Sequence, residues 1–252
     1  MIIKTRKFRF WLFKMDEKNF TQNNKKLRRS GIKRIIQIYL GLLLQAIIFF
    51  SAAGHFNIPR AWAYFAICFV HLSLNILIFY KLAPELINQR GEKKEDTKSW
   101  DKVFVVVHAP MVFILPAIAG FDVGRFMWSN LGISYAILGL GLYIIAAIIT
   151  DWAMIENTHF ETTVRIQKDR DHQVITEGPY RIVRHPGYVG IILLNISMPF
   201  IIGSAYALIP AGIIALLIVI RTSLEDKTLQ SELNGYTEYT KKVKYRLLPG
   251  VW

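Results

Sequence analysis

Two short polar blocks flank a long apolar stretch in the C-terminal part of the chain. Residues 187–220 contain no Asp, Glu, Lys or Arg; the sequence RHP (184–186) immediately precedes them, and RTSLED (221–226) follows. If the apolar stretch enters and leaves a membrane on the same side, both blocks meet at one water boundary. The hairpin then brings four chemically capable side chains together: His185, Tyr188, Arg221 and Glu225.

This set of side chains is suited to binding and orienting a polar ligand. An imidazole or a carboxylate can accept a proton or hold a cation, and a guanidinium can orient an anion through two parallel hydrogen bonds. Ionisable groups at a membrane edge indicate a functional site. The same residues also fit a plainer interpretation, in which basic side chains reach the interface and Arg221 pairs with Glu225 one helical turn on. The residues alone leave both interpretations open.

The composition indicates that the four side chains at the ends of the hairpin are positioned by a membrane-embedded fold. The 252 residues are 53% hydrophobic and 19% charged, with mean hydropathy +0.31 and net charge +13. Such hydrophobicity excludes a disordered chain, and a soluble nucleic-acid-binding domain would not expose so much apolar surface. All 49 charged residues fall in 135 of the 252 positions. The other positions form five stretches without a charged residue: 35–53, 61–80, 103–121, 126–150 and 187–220.

The first four stretches are long enough to cross a bilayer as helices, which takes roughly 20 residues. The fifth divides into arms at 189–202 and 206–220, each roughly 22 Å long and shorter than the ~30 Å hydrocarbon core. We therefore predict an all-α integral membrane protein with four transmembrane helices plus a C-terminal helical hairpin, five to six membrane segments in all. Lys and Arg number 12, 1, 6, 1, 5 and 6 in successive connections, which predicts a multi-pass protein with both termini cytoplasmic.

Three regions follow from this pattern. Residues 1–34 form a basic cytoplasmic N-terminal segment, 35–153 the four transmembrane helices, and 154–252 a catalytic region containing the membrane hairpin at 187–220. The segment before the hairpin is too polar for a plain linker, and its alternating pattern at 163–166 and 172–175 predicts a short strand pair or an extended loop. With one cysteine and no HExxH pair, we expect no disulfide framework and no metal site.

Three blocks in this region resemble a known family. GPYRIVRHPGYVG at 178–190, RTSLED at 221–226 and NGYTEYTKKVKYRLLPGVW at 234–252 are similar, in order and spacing, to the C-terminal signature of the isoprenylcysteine carboxyl methyltransferase family. The wider group includes bacterial relatives and phospholipid methyltransferases. The resemblance covers about residues 164–252. It implies a membrane methyltransferase whose cofactor, S-adenosyl-L-methionine, binds in a cytoplasmic region.

The resemblance also implies roles for individual residues. Glu225 would hold the amino group or ribose of the cofactor, and Arg221 would contact an acceptor carboxylate. Two positions depart from the family pattern: Asp226 replaces a frequent second glutamate, and Arg165 occupies a usually polar site. The implied catalytic residues are Arg221, Glu225 and His185; the implied cofactor-binding residues are His172, Gln173, Val174, Ile175, Tyr180, Arg184, His185, Pro186, Gly187, Tyr188 and Glu225.

The resulting hypothesis is a methyltransferase acting on a lipophilic small molecule at the cytoplasmic membrane face. A carboxylate or thiolate acceptor needs orientation only, whereas an amine needs a base such as Glu225 or His185. One alternative is an NADPH-dependent membrane reductase of related architecture. Another is a non-enzymatic transporter or scaffold; charges lining a membrane path would favour transport, and the five apolar stretches contain none.

Overall fold

A computed structural model describes residues 26–252 of the chain. Most of the predicted N-terminal segment, residues 1–25, lies outside the described residues. The described part consists of helices and loops, with no strand. A π-helical segment, Phe121–Phe126, continues α4, and two 3-10 turns cover Lys168–Arg170 and Gly178–Arg181. The α-helices are α1 Arg29–Ala53, α2 Pro59–Leu82, α3 Pro84–Arg90, α4 Ser99–Gly120, α5 Ile133–Glu156, α6 Pro186–Ile202, α7 Leu208–Glu232 and α8 Tyr236–Lys242.

Five of these helices are long and apolar enough to cross a membrane, and they confirm the predicted all-α multi-pass architecture. They are α1, α2, α4 with its π-helical extension, α5 and α7. Large apolar side chains cover their outer faces; on α1, for example, Leu40 is 58% exposed and Ile47 is 52% exposed. In a bilayer these faces contact lipid, so their exposure carries no cost.

The two arms of the hairpin differ in length. Helix α6 has 17 residues and α7 has 25, or roughly 25 Å and 37 Å at 1.5 Å per residue. The apolar arm ends near Ile220, and the sequence predicts that residues 221–226 continue the helix as it leaves the membrane. In the structure α7 continues further, to Glu232. Helix α6 ends at Gly203, whose φ of 104° belongs to the left-handed region that glycine adopts freely.

The turn of the hairpin is held by a buried carboxylate from the π-helical segment. Asp122 is fully buried and accepts hydrogen bonds from the hydroxyls of Ser129 and Ser204, both at 2.5 Å, and from the backbone N–H of Tyr206 at 3.1 Å. At the same end, Arg60 donates to the carbonyl oxygen of Ile201 at 2.7 Å, which satisfies the C-terminus of α6. These contacts fix the hairpin turn relative to α2 and α4.

Close packing of α5 on α6 positions the other end of the hairpin. A Cβ atom added to Gly139 would lie 2.8 Å from the backbone nitrogen of Ile201, and one added to Gly190 would lie 1.9 Å from the hydroxyl of Thr150. Only glycine permits this approach, as in other helix pairs that pack through small residues in membranes. The start of α6 is thereby placed beside the end of α5.

The polar segment between α5 and α6 is an extended loop, so the strand-pair alternative is wrong. The backbone N–H of Val164 donates to the Asp101 carboxylate at 2.7 Å, and the carbonyl of Val164 accepts from the backbone of Lys98 at 3.0 Å. The N–H of Gln167 donates to the ring of His172 at 3.3 Å. The backbone groups that a strand pair would use are satisfied by the start of α4 and by a side chain.

Candidate functional site

One cavity of about 530 Å³ lies at the end of the bundle that carries the α5–α6 loop. Its walls come from α1, α3, α4, α6, α7, α8 and that loop. Every predicted cofactor-binding residue except Pro186 lines it; Pro186 is instead the buried first residue of α6. The predicted residues that line the cavity are His172, Gln173, Val174, Ile175, Tyr180, Arg184, His185, Gly187, Tyr188, Arg221 and Glu225.

The four residues at the two ends of the hairpin do come together. The Tyr188 hydroxyl donates a hydrogen bond to the Glu225 carboxylate. The guanidinium of Arg221 lies 5.5 Å from the centre of the Tyr188 ring, and the His185 ring stacks on Tyr188 with centroids 5.8 Å apart. Aromatic faces beside a carboxylate form an environment that attracts a cation.

Arg221 has a counter-ion that the sequence did not indicate. Its Nε lies 3.0 Å from Oδ1 of Asp101, a fully buried residue in the first turn of α4. One guanidinium nitrogen also donates to the carbonyl of Thr162 at 3.0 Å, and the group lies 4.5 Å over the Phe104 ring. Asp101 thus orients Arg221 and neutralises its charge. The only sequence signal for it was its position just before the third apolar stretch.

Asp226, the departure from the family pattern, anchors the arginine and histidine of the RHP block. The fully buried carboxylate accepts two hydrogen bonds from Arg184, at 2.7 and 2.9 Å, and one from Arg246 at 2.8 Å. His185 Nε2 lies 3.3 Å from the same carboxylate. Burial lowers the pKa of Arg184, but the hydrogen bonds and charge of Asp226 outweigh burial and raise it. Arg184 and His185 are therefore held in place by Asp226.

The loop wall contains a neutral imidazole pair. His172 and His159 pack with ring centroids 4.6 Å apart. Burial, followed by the charges of His159 and nearby arginines, lowers the pKa of His172 to about 4. Because Nδ1 of His172 accepts the hydrogen bond from Gln167, the neutral ring carries its proton on Nε2. His172 therefore presents a donor without a charge.

Arg165, whose role the family pattern left open, fixes this loop. Its buried guanidinium pairs with Glu161 at 2.8 Å and with Asp169 at 2.7 Å. The hydrogen bonds to Glu161 and Asp169 raise the pKa of Arg165 against the opposing effect of burial. Arg165 also pairs with Asp96, between α3 and α4, at 3.0 Å, so it ties the loop that holds the 172–175 block to the segment before α4.

The aromatic wall of the cavity continues on α8, where the sequence predicts a helix and tail over the cofactor with Tyr239 and Arg246 as contributors. Tyr236 of α8 lines the cavity and donates to Asp226 at 3.0 Å. Tyr239, also on the wall, donates to the carbonyl of Tyr180 at 2.6 Å, and Asn157 donates to the Tyr180 hydroxyl at 3.1 Å. The segment beyond the hairpin thus contributes to the cavity wall.

The opposite wall, on α4, is largely apolar. It includes Phe104, Val105 and Ala109, and Val105 is 40% exposed. His108 lies on the same wall, stacked on Phe104 at 4.9 Å. Its buried Nε2 has no hydrogen-bond partner among residues 26–252. The cavity therefore has a polar, aromatic side and an apolar side.

Comparison with known proteins agrees with the motif resemblance. The sequence profile of the isoprenylcysteine carboxyl methyltransferase family matches residues 138–231. This region belongs to that family. A solved structure of a eukaryotic intramembrane Ras methyltransferase, isoprenylcysteine carboxyl methyltransferase, superimposes with a TM-score of 0.53 at 20% identity, covering 100% of this chain and 87% of that one. At this identity the likeness shows the fold. The comparison with curated proteins gives no match.

The resemblance predicted from the three motifs is thus confirmed over residues 138–231. The matched region contains α6, most of α7 and the loop with the 172–175 block. The walls contributed by α1, α3, α4 and α8 lie outside it. The matched region therefore supplies part of the cavity wall, and segments on both sides of it in sequence supply the rest.

Proposed function

We propose that the protein transfers a methyl group from S-adenosyl-L-methionine to a lipophilic small molecule at the cytoplasmic face of the membrane. The observation that carries this proposal is the cavity of about 530 Å³, where almost all the residues implied for the cofactor lie together with an apolar wall from α4. Its volume lies within the range of small-molecule sites, about 300–1,000 Å³. The alternation of 29 basic residues with 2 across successive connections supports the cytoplasmic placement.

The donor set in the cavity fits this cofactor. Glu225, with the faces of Tyr188 and Tyr180, suits a ligand carrying a sulfonium and an amino group. The neutral His172 and the amide of Gln173 supply hydrogen-bonding groups without added charge. When bound, the cofactor supplies an electrophilic methyl group. The protein has to hold the reacting atoms in line and keep water out.

The chain's own residues can meet both requirements. The α4 wall, open at Val105, lets an amphiphile extend from the bilayer into the cavity. Arg221, held by Asp101, orients the acceptor. The buried aromatic residues of α8 exclude water from the cofactor side. If the acceptor is an amine, Glu225 or His185, which both line the cavity, is the candidate base.

The direct test is calorimetric binding of S-adenosylmethionine to the detergent-purified chain. The wild type should bind it, and Glu225→Gln should weaken binding about tenfold to hundredfold because a charge-assisted contact is lost. Glu177→Gln is the matched control: this carboxylate is 47% exposed, pairs with Arg181 and does not line the cavity, so binding should not change.

Absence of binding by the wild type, or equal affinity in Glu225→Gln, would refute the proposal. Binding of NADPH in place of S-adenosylmethionine would favour the reductase alternative. Transfer of labelled methyl groups into a total lipid extract and into a prenylcysteine analogue, with products identified by mass, then determines the acceptor.

A further inference from the structure

Two arginines face the cavity from outside the family-matched region. Arg34 lies near the start of α1, and Arg90 is the last residue of α3; both line the cavity. Arg90 donates one hydrogen bond to the carbonyl of Phe160 at 3.1 Å and lies 5.4 Å over its ring. The Nε of Arg34 is buried and has no hydrogen-bond partner among residues 26–252.

These two arginines differ from the other arginines of the cavity in their charge balance. Among the described residues, no carboxylate lies within 4 Å of the guanidinium of Arg34 or Arg90. Each of the other three has a carboxylate partner within 3.0 Å: Arg165 with Glu161, Arg184 with Asp226, and Arg221 with Asp101.

Leaving two such cations together without a counter-ion is unfavourable. Burial lowers the pKa of Arg90, the positive charge of Arg34 lowers it further, and the more distant carboxylate of Glu161, already paired with Arg165, offsets only part of this. Buried charges in proteins are normally paired. An anion from outside the described chain would satisfy both guanidinium groups, and the cavity is where it can enter.

We propose that Arg34 and Arg90 form a subsite for the anionic head group of the methyl acceptor, and that this head group is of the phosphate class. The inference rests on the proposed function. Two positive charges match a phosphate dianion, whereas one carboxylate would leave one of them unbalanced. The planar guanidinium also matches phosphate oxygens through paired hydrogen bonds.

The arrangement of the remaining walls agrees with an amphiphilic phosphate. Asp101 is the counter-ion of Arg221, so the charge of Arg221 is balanced without a ligand. The apolar chain would run along α4, past Val105, toward the lipid-facing surface. Glu225, which has no basic partner within 4 Å among the described residues, is left for the cationic cofactor.

The test measures binding of dodecyl phosphate and dodecanoate to the full chain in nonionic detergent with S-adenosylhomocysteine present. The wild type should bind dodecyl phosphate more tightly. Arg34→Ala and Arg90→Ala should each weaken phosphate binding about tenfold to hundredfold. Arg90→Lys should weaken it less, because lysine keeps the positive charge but cannot donate the paired hydrogen bonds of a guanidinium. Arg29→Ala, at an exposed position in the first turn of the same helix as Arg34, should leave binding unchanged.

S-adenosylmethionine binding, measured for every variant, separates the two proposals. Wild-type protein that does not bind the cofactor refutes the proposed function. Cofactor binding together with equal affinity for the two amphiphiles, or with unchanged phosphate affinity in both alanine variants, refutes the subsite alone. If the alanine variants weaken S-adenosylmethionine but not its decarboxylated form, the arginines hold the cofactor carboxylate, and the inference is overturned. If Arg90→Ala does not fold, the affinity of Arg34→Ala for dodecyl phosphate is the deciding measurement. The Nε of Arg34 forms no hydrogen bond to a described residue, so removing it breaks no such contact in the fold.

Discussion

Replacing Asp226 by asparagine should destabilise the protein more than any exposed charge change. The carboxylate is fully buried on α7. It accepts hydrogen bonds from Arg184, Arg246, Tyr236 and Gln230 at distances between 2.7 and 3.0 Å. Asparagine has nearly the same shape, but its amide NH₂ would face groups that are themselves donors.

The magnitude follows from the ion pairs that are broken. Removing one partner of a buried pair costs about 3–5 kcal/mol, because the remaining charge stays buried without compensation. For a chain of this size, that corresponds to a fall in melting temperature of about 6–20 °C. The matched control is Glu232→Gln on the same helix, whose side chain is 43% exposed and pairs with Lys98 at 2.7 Å. An exposed pair contributes about 0–1 kcal/mol.

Thermal unfolding of the two variants and the wild type in detergent, followed by intrinsic fluorescence, makes the comparison. Affinity for S-adenosylmethionine should fall in Asp226→Asn as well, because Arg184 and His185 lose their anchor. Asp226→Glu keeps the charge and should recover part of both losses. A melting temperature for Asp226→Asn within about 2 °C of the Glu232→Gln value would show that the cluster contributes little, and would contradict the assigned role of Asp226.

Two further predictions concern other parts of the fold. The pKa of His172 is about 4 in the folded protein and about 6.5 in an unfolded chain, so the unfolded chain binds more protons between these values. Stability should therefore be complete above pH 6.5 and decline toward pH 4 by up to about 1.4 kcal/mol per pH unit; an equal decline in His172→Gln, measured by melting at each pH, would contradict this. Asp122→Ala leaves the donors of Ser129 and Ser204 unsatisfied and should cost about 2–4 kcal/mol at unchanged cofactor affinity. A change in affinity without a change in melting temperature would place Asp122 in the site instead.

The membrane architecture could be predicted from the sequence because hydropathy is a local property. A charge-free stretch identifies a span, whatever packs against it. The prediction of a helix continuing past the apolar arm through residues 221–226 gave no end point, and the structure places that end at Glu232. It also left the strand pair open, since alternation at 163–166 fits any extended segment whose backbone finds partners elsewhere.

The walls of the site could be predicted in part. The two ends of a hairpin must meet, so Tyr188 and Glu225 were brought together by connectivity, and they are hydrogen-bonded. Asp101 and Arg221 are 120 positions apart, and their pairing depends on how α4 packs beside α7. No local pattern contains that information. The predicted roles of the individual residues toward cofactor and acceptor await the binding measurements.

The division of the cavity between two parts of the chain bears on how acceptor specificity arises. The residues implied for the cofactor all lie at positions 172–225, inside the matched region. Arg34, Arg90 and the α4 wall lie outside it. A shared cofactor constrains the first set of residues, whereas each acceptor imposes its own charge and shape on the second. A match to this family therefore predicts the methyl donor better than the methyl acceptor. Because Arg34 and Arg90 line the proposed acceptor subsite and have no carboxylate within 4 Å among residues 26–252, exchanging them is the change most expected to alter which amphiphile binds.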